Sequence, residues 1–192
     1  MEPSECGVVE LRRYLLRPGR RDELIELFER EFVESQQELG ICLLGLFREE
    51  GDEDRFVWFR GYRDLEARIA ALQGFYEGPV WARHARAANA TMIDSDDVLL
   101  LEPIKVYESA DDHGASRPSV EVAISEAGRL PEDPPGFRPL AVFKTLHAEN
   151  GYPGLPVREA DVVVTVGTGA PAPGAPNAVR LRLQPTRRSH WP

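Results

Sequence analysis

The sequence predicts an α+β protein, and three observations predict it. Two stretches of the first half carry apolar residues at spacings of three and four, as an amphipathic helix does. Most of the remaining apolar stretches are short and extended in character, rich in Val, Leu and aromatic residues. The second half repeats such strands, but proline and glycine crowd the places where helices would recur.

In order along the chain, VVELRRYLL (residues 8 to 16) reads as a strand that runs into a turn at Pro18 and Gly19. From about residue 20 to 38, Leu24, Leu27, Phe28 and Phe32 make one face of a helix, which Gly40 can end. ICLLGLFRE (41 to 49), the polar turn GDED (51 to 54) and RFVWFRGY (55 to 62) form a hairpin. Asp64 is placed to cap a second helix with Leu65, Ile69, Leu72 and Tyr76 on one face, and Gly78-Pro79 restarts a helical turn through WARHARAANA. DVLLLEPIKVY (97 to 107) closes the half as a strand. The order βαββαβ is ferredoxin-like, a sheet with both helices on one face.

ESADDHGASRP (108 to 118) reads as a linker between this domain, residues 1 to 107, and a degenerate, mainly β second repeat over residues 119 to 192. Its strands are VEVAIS (120 to 125), LAVFKTLH (140 to 147), DVVVTVG (161 to 167) and VRLRLQ (179 to 184). AGRLPEDPPGF (127 to 137) and TGAPAPGAPNA (168 to 178) cannot be helical. Without helices the outer face must be solvated, and the alternation agrees: Val179, Leu181 and Leu183 oppose Arg180, Arg182 and Gln184. The apolar face is expected to pack on the open face of the first sheet as an α+β barrel, within one chain or between two.

A formal charge of −9 over 192 residues offers no cationic face for nucleic acid or anionic lipid. No apolar run approaches the ~20 residues that span a bilayer, and MEPSECGVVE lacks signal-peptide features, so a cytoplasmic location is expected. Cys6 and Cys42 are expected to stay reduced and apart, because the third strand separates the strands they begin. The four histidines are scattered, and the acidic corner Asp94, Asp96 and Asp97 lacks the glycine and glutamate of a calcium loop, so no metal site is expected.

The candidate site lies on the first and third strands, which are adjacent in such a sheet. Glu10, Arg12 and Tyr14 share one parity, as do Trp58, Arg60 and Tyr62. Val9, Leu11, Leu15, Val57 and Phe59 are assigned to the helix-covered face, which turns the polar and aromatic stripe into the barrel. Two guanidiniums beside a carboxylate offer fixed donors for an enolate or phenolate. Tyr14 could act as a weak acid, and Glu10 as a base if burial raised its pKa. The plainer alternative is a satisfied buried ion pair of Glu10 with Arg60 or Arg12. A second patch sets Trp81 and His84 one helical turn apart, with Asn89 and Met92 at a potential pocket edge; spacing places no third partner there, and a solvated helix with a capped turn is the plainer reading.

VELRRYLLRPGRRDELIELFE, FVWFRGYRDLEAR and WARHARAANATMIDSDDVLLL together resemble the NIPSNAP family, a branch of the dimeric α+β barrel superfamily, over residues 7 to about 104. LPVREADVV (155 to 163) and RLRLQPTRRS (180 to 189) are similar to the family's carboxy-terminal repeat, but the missing helices depart from it. The resemblance implies a ferredoxin-like fold, barrel formation and a homodimer. The related antibiotic-biosynthesis monooxygenases oxidise phenolic polyketides without metal or flavin, using arginine, tryptophan, asparagine and tyrosine or histidine. Arg60, Trp58, Asn89, Tyr14 and His84 are of suitable type. The expectation is therefore a cofactor-free enzyme of bacterial secondary metabolism that oxygenates, isomerises or cyclises an aromatic or polyketide-like molecule. In it, Arg60, Glu10, Tyr14 and His84 would be catalytic, with Arg12, Trp58, Tyr62, Trp81, Asn89 and Met92 around the substrate. A non-catalytic carrier of an aromatic ligand and a structural dimer are the alternatives.

Overall fold

The computed structural model describes residues 3–107, 117–128 and 132–192. Most of the linker expected over 108 to 118, and part of the 127 to 137 stretch, therefore lie outside the described residues. The first half contains β1 (Val8–Leu16), α1 (Arg21–Leu27), a π turn (Phe28–Phe32), α2 (Val33–Gln37), β2 (Cys42–Glu49), β3 (Arg55–Tyr62), α3 (Leu65–Tyr76), α4 (Pro79–Thr91) and β4 (Met92–Val106). The second half contributes β5 (Val120–Glu126), β6 (Phe137–Thr145), β7 (Val162–Gly169) and β8 (Val179–Pro185).

Local chemistry accounts for the helices. Asp22 and Glu23 sit in the first turn of α1, where the helix dipole favours negative charge. The π turn continues that helix into α2 and keeps Phe28, Phe32 and Gln36 all buried, which regular spacing along one stripe also requires. Gly40, at φ +80°, then releases the chain into β2. The Asp64 carboxylate accepts from the Ala67 amide at 2.8 Å and starts α3, and Pro79 begins α4. The buried face of α3 is Arg68, Ala71, Leu72 and Phe75, about one residue round from the face that its apolar spacing suggests. A charged residue on the buried side explains the difference. The last strand of the half starts at Met92 instead of 97, so Asp94, Asp96 and Asp97 lie on β4 and not in a turn. Among the described residues, no group of three or more His, Cys, Asp or Glu is placed to hold a metal ion.

All eight strands close into one antiparallel barrel in the order β1-β3-β2-β8-β5-β7-β6-β4. The first half runs β4-β1-β3-β2 and the second β8-β5-β7-β6, so each set of four strands takes the order fourth, first, third, second. The two sets join edge to edge, β2 to β8 and β4 to β6, within a single chain. The β2–β8 ladder has three residue pairs, and the chain after β8 prolongs it. The Thr186 amide donates to Leu46 O and the Trp191 amide to Leu44 O, both at 2.8 Å. Trp191 enters the barrel against Phe59, with ring centres 5.2 Å apart, and Arg117 donates to the carbonyls of Thr186 and Trp191.

The interior is apolar: Val9, Leu11, Val57 and Phe59 meet Val122, Phe143, Val166 and Leu181. The assignment of faces made from strand parity is therefore reversed. Glu10, Arg12, Tyr14, Trp58, Arg60 and Tyr62 lie under the helices, among Phe28, Phe32, Leu72 and Phe75. The reason is electrostatic. Among the described residues the second-half strands bury no charged side chain and turn mainly Val, Leu and Phe inward, whereas the helices carry Gln36 and Arg68.

On the outside of the second half, the proline-rich segment after β7 takes the place of a helix. Ala172 packs on Ala123 and Phe137, and the Ala175 amide donates to Ser125 Oγ at 3.0 Å. Arg180, Arg182 and Gln184 are exposed, as the alternation suggests, but so is Val179 at the strand's start. Cys6 and Cys42 form no disulfide, yet they are not far apart: both belong to the interior cluster, and the Cys6 sulfur lies over Gly61, whose cross-strand partner is Cys42. The intervening strand separates them at a residue with no side chain. The Cys42 thiol, and then burial, push the Cys6 thiol above its ordinary range. Among the described residues no helix is long and apolar enough to cross a membrane.

Candidate functional site

Glu10 and Arg60 are direct cross-strand partners on β1 and β3, so their side chains leave the sheet together on the helix side. Glu10 Oε2 accepts from Arg60 Nε at 2.7 Å and from Arg12 Nη1 at 2.8 Å, while Oε1 accepts from Arg68 Nε of α3 at 2.7 Å. None of the four side chains is more than 1% exposed. Gln36, brought inward after the π turn, accepts from Arg60 Nη1 at 3.2 Å and donates to Phe32 O. The Arg60 guanidinium lies 4.9 Å from the Trp58 ring, which spreads part of its charge over an aromatic face.

Burial alone would raise the Glu10 carboxyl, but Arg60, Arg12 and Arg68 hold it well below the usual carboxylate range. Glu10 is therefore a fixed counter-ion and not the base that its sequence position suggests. Three guanidiniums surround this one carboxylate, which leaves the buried cluster positive. Desolvation opposes the charge on Arg60 and Arg12, but the neighbouring acidic groups prevail and both stay protonated. Arg60 Nη2, Tyr62 Oη and Trp58 Nε1 are buried with no hydrogen-bond partner among the described residues.

A cavity of about 350 Å³ adjoins the cluster. Arg12 and Tyr14 are its buried lining, and Tyr76, Trp81, Asn89, Met92, Ser95, Asp96, Tyr152, Gly154 and Leu155 complete it. Arg12 Nε donates to Tyr14 Oη at 3.0 Å. Burial raises the Tyr14 phenol, against the pull of Arg12, so it keeps its proton at neutral pH. Because that oxygen already accepts, its hydrogen is available to a third group.

Of the residues expected at the site, Arg12, Tyr14, Trp81, Asn89 and Met92 come together around the cavity. Glu10, Trp58, Arg60 and Tyr62 stand behind it, fully buried, and do not line it. His84 is elsewhere: its Nε2 lies 3.4 Å from Glu31 and its ring meets Phe32 edge-on, between α4 and the π turn. Arg68, Gln36, Tyr76, Asn150 and Tyr152 escape a reading by strand parity. Arg68 and Gln36 left a trace, since each sits on an otherwise apolar helix stripe. Asn150 and Tyr152 lie in a connection whose place nothing local specifies.

Two solved structures share this fold over most of the chain. A proposed monooxygenase from Lactobacillus acidophilus shares it with a TM-score of 0.56 at 11% identity, over 93% of each chain. Another, from Fusobacterium nucleatum, has a TM-score of 0.52 at 9% identity, over 93% of this chain and 91% of that one. The chain belongs to the NIPSNAP family, whose model matches residues 9–108. An uncharacterised NIPSNAP-like domain protein from Burkholderia xenovorans is 28% identical over 53% of this chain and 89% of its own, with a TM-score of 0.48. Among curated proteins, none matches the chain.

Proposed function

We propose that the cavity binds an aromatic or polyketide-like small molecule and that the protein transforms it without a cofactor, by oxygenation, isomerisation or cyclisation through an oxyanion. The Arg12–Tyr14 pair carries this reading. Tyr14 donates its hydrogen to the oxygen on which charge develops, and Arg12, itself 1% exposed, opposes that charge from the buried end of the cavity. Glu10 and Arg60 hold Arg12 in place from behind, so no reorganisation is needed as charge builds. Asp96 is the carboxylate among the lining residues and is the group that takes the proton. Tyr76 and Trp81 pack edge to face, 4.9 Å between centres, and wall the cavity with rings against which a flat substrate lies.

The test starts from native mass spectrometry of the purified protein, gentle and then denaturing, to identify a co-purified molecule and to weigh the assembly. The homodimer that the resemblance implies is read from the same spectrum. With that molecule or its precursor as substrate, Tyr14→Phe is expected to lower kcat by about 10²–10³, the usual loss of one oxyanion donor. An unchanged kcat with an intact fold would sink the reading. The unavailability of Glu10 as a base favours a second reading, a carrier that returns its ligand unaltered; recovery of every bound species unchanged after prolonged incubation would establish that instead.

A further inference from the structure

Between β6 and β7 the chain runs through residues 146–161, where the equivalent connection in the first half is the short turn between β2 and β3. This longer connection leaves its own half and packs Leu146, Tyr152, Leu155 and Val157 against the helix-side core of the other. Arg68 holds it there. One guanidinium donates to Glu10 Oε1 through Nε, and to the main-chain oxygen and Oδ1 of Asn150 through its two Nη groups. Asn150 Nδ2 in turn donates to Leu155 O at 2.7 Å, which fixes the curve of residues 150–155. Gly151 adopts φ +69°, and a side chain on it would collide with the Ile69 side chain of α3, so the backbone of the segment packs directly on that side chain. Farther along, the Arg158 amide donates to Val98 O at 2.9 Å.

Glu10 thus connects two walls of the cavity. Through Arg12 it sets the polar wall, and through Arg68 and Asn150 it sets the wall made by Tyr152 and Leu155. That second wall lies outside the residues that the family model matches. We propose that residues 150–155 are the specificity-determining roof of the cavity, positioned by Arg68, and that Tyr152 and Leu155 on it favour smaller flat molecules over larger ones. The volume, about 350 Å³, is at the low end for small-molecule sites. The inference rests on the cavity being a ligand site.

Calorimetric titration with 2-naphthol, of two fused rings, and 1-hydroxypyrene, of four, tests it on the full chain. The unsubstituted protein should prefer 2-naphthol by about tenfold or more. Tyr152→Ala and Asn150→Ala should erase that preference while circular dichroism stays that of the folded protein, and Tyr152→Phe, which keeps the ring, should retain it. An equal preference in Tyr152→Ala, or the same loss of affinity for both probes, would overturn the roof while leaving the cavity a ligand site. The same holds if the unsubstituted protein binds both probes alike. If it binds neither and carries no molecule on purification, the reading of the cavity falls and the roof with it.

Discussion

Glu10 is the residue on which the buried cluster depends, because its single carboxylate answers three guanidiniums. Glu10→Gln keeps the shape but leaves those cations uncompensated, so we expect a loss of about 3–5 kcal/mol in urea unfolding. The same residue sets an acid limit. Its folded pKa lies below its unfolded one, so its contribution is complete above the ordinary carboxylate range and is lost as pH falls through that range towards the folded value. Stability measured against pH should therefore decline below about pH 4.5 in the unsubstituted protein, and that decline should be shallower in Glu10→Gln. Strand parity alone reveals that Glu10, Arg12, Trp58 and Arg60 belong to one face. It cannot say which face, because that depends on whether partners such as Gln36 and Arg68 wait there, and those come from elements distant in sequence.

At the scale of elements, the helices and hairpin of the first half are legible because periodicity, a capping aspartate and Pro79 act locally. The connection over 146–161 is not, since its conformation is set by contacts with the other half. Gly151 makes that dependence measurable. Alanine there meets both a left-handed backbone and the Ile69 side chain, so Gly151→Ala should cost about 1–3 kcal/mol by denaturant titration. A stability equal to that of the unsubstituted protein would mean that the segment is not held against α3. The strands of the second half are readable from alternation, but their prolines and glycines declare only the absence of helices, not that the stretch after β7 folds back over Ala123.

For the whole molecule, closure depends on the segment beyond the last strand. The three pairs of β2 with β8 are few for a barrel seam, and the terminal segment adds two further main-chain hydrogen bonds, another from the Leu46 amide to Ser189 Oγ, and a tryptophan side chain inside the barrel. Trp191→Ala should therefore cost about 3–5 kcal/mol, in the range for emptying a buried aromatic site. A thermal midpoint unmoved by that substitution would show that the seam holds without it. Whether a barrel forms can be read from the strand pattern. Whether one chain or two supply it cannot, because alternation is the same in either case.

Closure within one polypeptide has a consequence for how the protein can change. In a barrel assembled from two identical subunits, every substitution appears twice, so a residue gained at one site is imposed on its symmetric mate. Here the two halves answer separately: one carries helices and the buried arginines, and the other has no helix among the described residues and sends a long connection across where the first has a short turn. Nor does the barrel need a second molecule to meet, so its completeness does not vary with dilution. One wall of the cavity can thus be rewritten in a short stretch of the second half while the first stays fixed.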